Sequence, residues 1–407
     1  MSSIHGSTRQ ILIVGSGAAG ISAAKAARAR DPEARIIMFG EEGRLPYYRL
    51  RLCEYIGRDV DYDGLKINRE EWFEQNRIRI EGASKVIAID PKAGRIRTEE
   101  KEYGYDSLVL ATGSTPVMPP FAGKELHGIH TIWTLDDVAE INRDLAGAGR
   151  AAVIGGGLLG LEAAYRISEM GIGVTLIESM PRLLPRQLDE EGSEIFSGKV
   201  MSLGISVLCG KSVTGFEGDR KGHVTKVHMA DGTAVEADVV IVAVGVRPNI
   251  AEFHDSGLSI GRFLDVNERM ETNIEGIFAA GDVASVNGRW SGQWSVAARQ
   301  GQVAGTNAAG GDAVFENADV PYILATMGTR VVCAGDACVS GRDGSGGAYG
   351  VVRKADKDKF SYSRLVFRDG LFAGYMLVGE PAKAFNKIQQ LINTGAGVEE
   401  INAVLYG

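Results

Sequence analysis

Two stretches of the chain repeat one pattern, and the pattern admits few folds. Residues 11–41 read ILIVGSGAAGISAAKAARARDPEARIIMFGE, and residues 151–178 read AAVIGGGLLGLEAAYRISEMGIGVTLIE. Each opens on a short apolar run and passes through a glycine cluster into an alanine-rich stretch. Each closes on a second apolar run and an acid. A hydrophobic period that switches from strand to helix and back reads as β–turn–α–β. Glycine supplies 54 of the 407 residues, nearly double the usual ~7%, as a fold rich in tight turns and close backbone approaches requires.

The first cluster is Gly15-x-Gly17-x-x-Gly20, with Ala18 and Ala19 between the last two glycines. In such a fingerprint one glycine makes the sharp turn, the next lets backbone N–H groups approach a pyrophosphate, and the third lets helix and strand pack closely. Glu41 lies 21 residues beyond Gly20, where a ribose-binding acid belongs, and Glu42 follows it. The second cluster is Gly155-x-Gly157-x-x-Gly160, enclosing Leu158 and Leu159, with Glu178 18 residues beyond Gly160. A carboxylate there accepts from a ribose 2′-OH and repels a 2′-phosphate, so NAD(H) is expected over NADP(H). Arg182 could soften that preference; we read it as a solvated surface arginine. The 140-residue spacing of the clusters points to two separate dinucleotide domains.

Between the repeats, IRIEGASKVIAIDPKAGRIRTEE (78–100) alternates and turns like β-hairpins. SLVLATG (107–113) and EGIFAAGDVA (275–284) read as buried strands ending in turns. From about Phe315 the chain holds β-like segments and a terminal helix of about two dozen residues, a third, smaller α+β unit.

The order of these motifs resembles the two-dinucleotide flavoproteins, the pyridine nucleotide–disulfide oxidoreductase superfamily, over almost all of the chain. LVLATGSTP (108–116), VVIVAVGVRPN (239–249) and IFAAGDVA (277–284) carry the likeness. Within that superfamily LPYYRLRLCEYI (45–56), PRLLPRQLDEEG (181–192) and VAARQGQVAGTNAAG (296–310) resemble the NADH:rubredoxin reductases and the flavin domains of nitrite reductases. The resemblance implies an α/β fold with two Rossmann-like domains of the glutathione-reductase type plus a small C-terminal α+β domain. An FAD domain would comprise residues 1–115 and 248–315, an NAD domain 116–247, and the C-terminal domain 316–407.

It also implies the site residues. FAD would lie against the first fingerprint, Glu41, Glu42, Val86, Ala111, Thr112, Gly113, Gly281 and Trp294, with Arg49 on its pyrophosphate and Asp282 on its ribityl chain. A helix starting near Ser295 would aim its positive end at the flavin and stabilise the anionic reduced form. NAD(H) would lie against the second fingerprint, Glu178 and Gly245, with Glu162 bordering the nicotinamide. Asp282 could alternatively cap a helix, and Glu162 could be an ordinary helix glutamate. Related ferredoxin reductases carry a lysine where this chain has Glu54, so a Lys–Glu bridge beside the flavin is not carried over. Arg51 is the cation that could compensate. Glu162 and Glu54 are the nearest candidates for acid–base work.

Cysteine usage decides how electrons would leave. The chain has Cys53, Cys209, Cys333 and Cys338. Disulfide reductases keep a cysteine pair beside the flavin; here that region holds Cys53 alone, which we read as buried and inert. Cys333 and Cys338 are expected as free thiols of a hairpin. The six histidines lack metal-ligand spacing; His127 and His130 are read as loop residues. Trp290 and Trp294 flank the flavin helix, where either could line an electron exit or simply pack.

With 44 basic against 52 acidic residues and no basic run, nucleic acid is a poor candidate partner. No apolar run approaches the ~20 residues of a membrane span, and the first ten residues lack a signal-peptide core, so a cytoplasmic location is expected. The resulting expectation is an FAD-dependent NADH oxidoreductase that exchanges electrons with a one-electron protein such as rubredoxin, ferredoxin or an iron–sulfur subunit. Three other readings stay open: the FAD/NAD-handling subunit of a larger metalloenzyme complex, an NADH oxidase or small-disulfide reductase using Cys53, and an NADH-responsive redox sensor.

Overall fold

The computed structural model describes residues 8–316, 320–337, 349–392 and 394–406. They form two compact units. The first comprises residues up to Arg51, Asp61–Thr115 and Val246 to about 316; the second comprises Leu52–Val60, Pro116–Gly245 and the C-terminal residues.

The core of the first unit is a five-stranded parallel sheet in the order Ile277–Ala279, Ser107–Leu110, Gln10–Val14, Arg35–Phe39, Ile78–Glu81. Ile11 pairs in register with Ile36 on one side and Ser107 on the other. The strand Ile11–Val14 is apolar at every position and buried, as a parallel strand covered on both faces must be. Two helices, Ala18–Arg30 and Trp294–Ala308, pack closely because both carry small residues at the crossing. A Cβ added at Gly301 would stand 2.1 Å from the Ala19 carbonyl oxygen, and one at Gly305 2.1 Å from that of Ala23.

Ile78–Glu81 corrects the hairpin reading of residues 78–100. It pairs parallel to Arg35–Phe39 as the sheet's edge, reached by a crossover through the helix Glu70–Gln75, the connection parallel pairing demands. Val86–Asp90, Arg95–Thr98 and Glu102–Gly104 form the antiparallel sheet.

The second unit repeats the plan. Its parallel sheet runs Ser206–Cys209, Gly173–Glu178, Arg150–Ile154, Val239–Val242, Ile129–His130, and Ala151 pairs with Val174 and Val239. His130 is therefore a strand residue, its Nε2 2.7 Å from Asp144 Oδ2, which corrects its reading as a loop residue.

A five-stranded antiparallel sheet in the same unit takes the order Tyr322–Thr326, Thr329–Gly335, Leu371–Val378, Ser361–Arg368, Tyr349–Asp356. Asp189 ties it to the helix Glu190–Ser202. One carboxylate oxygen caps that helix by accepting from the Gly192 N–H at 2.9 Å; the other accepts from Tyr362 Oη at 2.7 Å and Arg364 Nη1 at 3.0 Å. The expected long terminal helix is interrupted. A 3-10 turn Glu380–Ala384 and helices Phe385–Leu391 and Val398–Tyr406 bury Ile388 and Ile401 against Leu365, Phe372 and Leu377. Gly395 stands at a φ of +84° between the helices, where a continuous helix would need a negative one.

Candidate functional site: two dinucleotide cradles

The two fingerprints have one backbone geometry. Gly15 and Gly155 adopt φ of +111° and +114°, and an added Cβ would strike the carbonyl oxygen of Ala111 at 2.0 Å and of Ala243 at 2.3 Å. A Cβ on Gly20 would meet the Gly15 carbonyl oxygen at 1.9 Å, and one on Gly160 that of Gly155 at 2.0 Å. Four of these six glycines are thus consumed by packing. Gly17 and Gly157 are not: an added Cβ at either meets nothing within 4 Å. Each is the N-cap of its helix, with no side-chain cap and no acid in the first turn. Unpaired N–H groups at a bare, open helix start suit a pyrophosphate, so the residues fit a dinucleotide at both places.

Around the first cradle the LVLATGSTP loop is held from a distant segment. Thr112 Oγ1 donates to the Asn249 carbonyl at 2.8 Å, Asn249 Nδ2 returns a bond to the Thr112 carbonyl at 3.0 Å, and the Asn249 N–H donates to the Gly113 carbonyl at 3.0 Å. Gly113 itself is open, at a φ of +69°. Asp282 accepts from Ser114 Oγ at 2.7 Å; burial pushes its carboxyl up, and the Ser114 hydroxyl draws it back down. The Gly281 N–H donates to Gln300 Oε1 at 2.9 Å in a buried site. Asn249, Ser114 and Gln300 were not singled out in the sequence. All three lie in motifs quoted above, Ser114 in LVLATGSTP, Asn249 at the end of VVIVAVGVRPN and Gln300 in VAARQGQVAGTNAAG, which were the available signal.

The structure gives the remaining expected FAD residues these surroundings. Glu42 takes Tyr47 Oη at 2.7 Å and Arg49 Nη2 at 2.6 Å, so Arg49 is paired with a carboxylate. Glu41 is exposed and lies 3.3 Å from Lys85 Nζ. Val86 is buried. Trp294 begins the long helix as expected, one residue before Ser295, its ring 5.8 Å from that of Tyr48.

The second cradle is supported locally. Glu178, 8% exposed, accepts from the Gly156 N–H at 2.6 Å and from the Met180 N–H at 2.7 Å. Its neighbour on the adjoining strand is Cys209, whose thiol burial and the Glu178 charge push up. Arg182 is not the solvated residue expected: Nε donates to the Leu188 carbonyl at 3.1 Å and Nη2 to that of Pro185 at 3.4 Å. These bonds engage the guanidinium in its own loop. Gly245 takes a φ of +113° with open space about it.

Glu162 lies one turn beyond Leu159 on the second fingerprint helix, Leu158–Glu169. Burial pushes its carboxyl up to about 7; Arg166 lowers it and Glu54 raises it further. Arg166 itself is paired with Glu169 at 2.8 Å. Cys53, 4% exposed, belongs to the 3-10 helix Arg49–Tyr55 and packs against this helix, Sγ 4.0 Å from the Leu159 carbonyl oxygen. Burial and the charges of Glu162 and Glu54 push its thiol far up, the opposite of what a nucleophilic thiolate requires. The segment bearing it is fixed by Asn142, which accepts from the Gly57 N–H and donates to the carbonyls of Tyr55 and Arg58. The three described cysteines are free; Cys338 lies outside the described residues. No metal-binding cluster is found among the described residues.

Two cradles of this kind in one chain define a flavoprotein oxidoreductase that handles two dinucleotides, FAD and NAD(H). The chain belongs to the pyridine nucleotide-disulphide oxidoreductase family, which it matches over residues 9–301. It is 34% identical to the NADH-rubredoxin oxidoreductase of Clostridium acetobutylicum over 80% of this chain and 82% of that protein. It is 30% identical to the nitrite reductase [NAD(P)H] of Bacillus subtilis over 97% of this chain but only 48% of that protein, so it spans about half the length of that relative. The solved structure of the C. acetobutylicum NADH:rubredoxin oxidoreductase superposes with a TM-score of 0.80 at 29% identity, covering 98% of this chain and 99% of that one. No described helix is long and apolar enough to cross a membrane.

Proposed function

We propose that this chain oxidises NADH through FAD and delivers the electrons singly to a small redox protein, with no thiol relay. The observation that carries the reading is Cys53: a buried thiol in the 3-10 helix Arg49–Tyr55, packed against Leu159, where a disulfide reductase would need an activated one beside the flavin. Likeness to an NADH-rubredoxin oxidoreductase over four-fifths of both chains supports a rubredoxin-like acceptor.

In this reading residues 1–115 and 248–315 bind FAD, residues 116–247 bind NAD(H), and residues 316–407 are a separate α+β domain. FAD, when bound, supplies the conversion between a hydride and single electrons. The protein's part is positional. The open backbone at Gly17 and Gly157 takes the two pyrophosphates, Asp282 takes a ribityl hydroxyl, and Glu178 takes the nicotinamide coenzyme's ribose and repels a 2′-phosphate. Glu162 borders the nicotinamide end, its carboxyl raised chiefly by burial, with Glu54 adding a smaller push in the same direction. Free thiols suit a reducing cytoplasm.

A second reading, the FAD/NAD-handling subunit of a larger reductase, is favoured by the alignment of 97% of this chain to only 48% of a nitrite reductase. The test is NADH-driven reduction of rubredoxin followed optically. Rapid turnover with NADH and much slower turnover with NADPH supports the proposal; rapid reduction of a small disulfide with none of rubredoxin overturns it.

A further inference from the structure

The first unit carries an aromatic stack that the cofactor sites do not use. The Phe263 and Trp290 rings lie 5.2 Å apart at 15°, and the Arg262 guanidinium lies 5.4 Å from the outer ring, Phe263. The stack ends on the expected flavin-binding turn, where Trp290 Nε1 donates to the Asp282 carbonyl at 3.0 Å.

Several independent features of the backbone seat this indole. The strands Leu264–Val266 and Ala284–Val286 pair in parallel and bring Phe263 beside the start of the turn. Asn287 and Gly288 both take positive φ, 49° and 76°, and Val286 and Arg289 exchange both backbone hydrogen bonds. That is the two-residue type I′ turn, and it returns the chain to present Arg289 and Trp290. Gly292 then passes the ring at a φ of +66°, where a Cβ would stand 2.5 Å from the indole. Fixing a half-buried tryptophan in this way lowers the entropy cost of using it as a contact.

The surroundings say what would use it. Arg262 and Arg289 are exposed, and neither makes an ion pair among the described residues. The neighbouring carboxylates are engaged, Asp265 by Ser259 and Ser285 and Glu268 by Asn287. A chain with net charge −8 thus presents two uncommitted guanidinium groups around a rigid Phe–Trp pair, the composition of a protein–protein hot spot.

We propose that the Arg262–Phe263–Trp290–Arg289 surface docks the electron acceptor, an acidic one-electron iron protein, and places it beside the Asp282 turn. The inference rests on the function proposed above. Each NADH oxidised reduces two acceptor molecules by one electron apiece and releases NAD⁺ and one proton. The acidic acceptor is steered by the arginines and seated on the rings, so its association falls with added salt.

The test compares wild type with the Arg262→Glu/Arg289→Glu double variant, using oxidised rubredoxin as the probe. Rubredoxin binding is measured by titration, and NADH-driven turnover is measured with rubredoxin and with menadione, an uncharged small acceptor. The expected result is a loss of about tenfold or more in rubredoxin affinity and kcat/KM at low salt, a flattened salt dependence, and unchanged menadione turnover. Arg262→Lys/Arg289→Lys should restore most of the loss. Unchanged rubredoxin binding in the double variant overturns the surface, as does an equal loss with menadione. Wild type that binds rubredoxin through these arginines yet never reduces it would support the surface and sink the proposed function. Wild type that binds no rubredoxin at all overturns the surface.

Discussion

Gly15 and Gly155 take φ values within 3° of each other, and Gly20 and Gly160 press on equivalent carbonyls to within 0.1 Å. The acids that follow are supported in unlike ways. Glu178 is buried and held by N–H groups only 22 residues before it and two after it. In the first cradle Glu41 stands in solvent near Lys85, Glu42 is bound to Tyr47 and Arg49, and the supports arrive from Asn249, Asp282 and Gln300. The acid of the second cradle is thus supported within thirty residues, whereas the loop of the first is braced by segments more than a hundred residues away. The shared part is backbone geometry that only glycine permits. The divergent part is side-chain scaffolding, which each site obtains from whatever packs beside it.

Alanine at the packed glycines should break both cradles most severely. Gly20→Ala and Gly160→Ala each force a methyl onto a backbone oxygen, at a cost of about 3 kcal/mol or more. Gly20→Ala should yield protein depleted of FAD, and Gly160→Ala protein that keeps its yellow colour and loses NADH binding. Flavin absorbance and NADH titration separate the two, and equal loss of both ligands in both variants would break the comparison.

Glu178→Ala comes next. It leaves the buried Gly156 N–H without its acceptor, at a cost of about 1–3 kcal/mol, and frees the part-buried Met180 N–H, so NADH should bind roughly tenfold or more weakly while the flavin spectrum stays unchanged. Glu162→Gln sharpens the local electrostatics of the second cradle. Because the folded-state carboxyl is raised to about 7, its neutral form contributes stability fully below its ordinary value near 4.5. That contribution is lost as pH rises through 7. The wild-type melting temperature should therefore fall relative to Glu162→Gln between pH 5 and 8, by ~2–4 °C for each kcal/mol. Glu41→Ala should do least, since an exposed pair is worth about 0–1 kcal/mol.

The same contrast explains what could be read in the chain. Each fingerprint was legible because glycine is forced at its packed positions by φ or by close contact, and the apolar runs 11–14 and 108–110 marked buried strands. Asn249, Ser114 and Gln300 were not legible, because ordinary polar side chains gain their roles only when the fold brings them to the turn they brace. Ile78–Glu81 misled because alternation marks a strand without naming its partner; a crossover helix made it a parallel edge. The terminal helix misled because its period continues across Gly395, whose positive φ divides it. Arg182 looked like surface charge until its loop curled back to present carbonyls to it.

The central claim is that electrons pass from NADH through FAD without a thiol station. Anaerobic titration of the purified flavoprotein with NADH, followed at the flavin band, tests it directly. The account predicts complete bleaching on uptake of two electrons per FAD, with no thiols gained. Uptake of about four electrons per FAD would mean that a redox-active disulfide takes part, and would contradict the reading of Cys53 as inert.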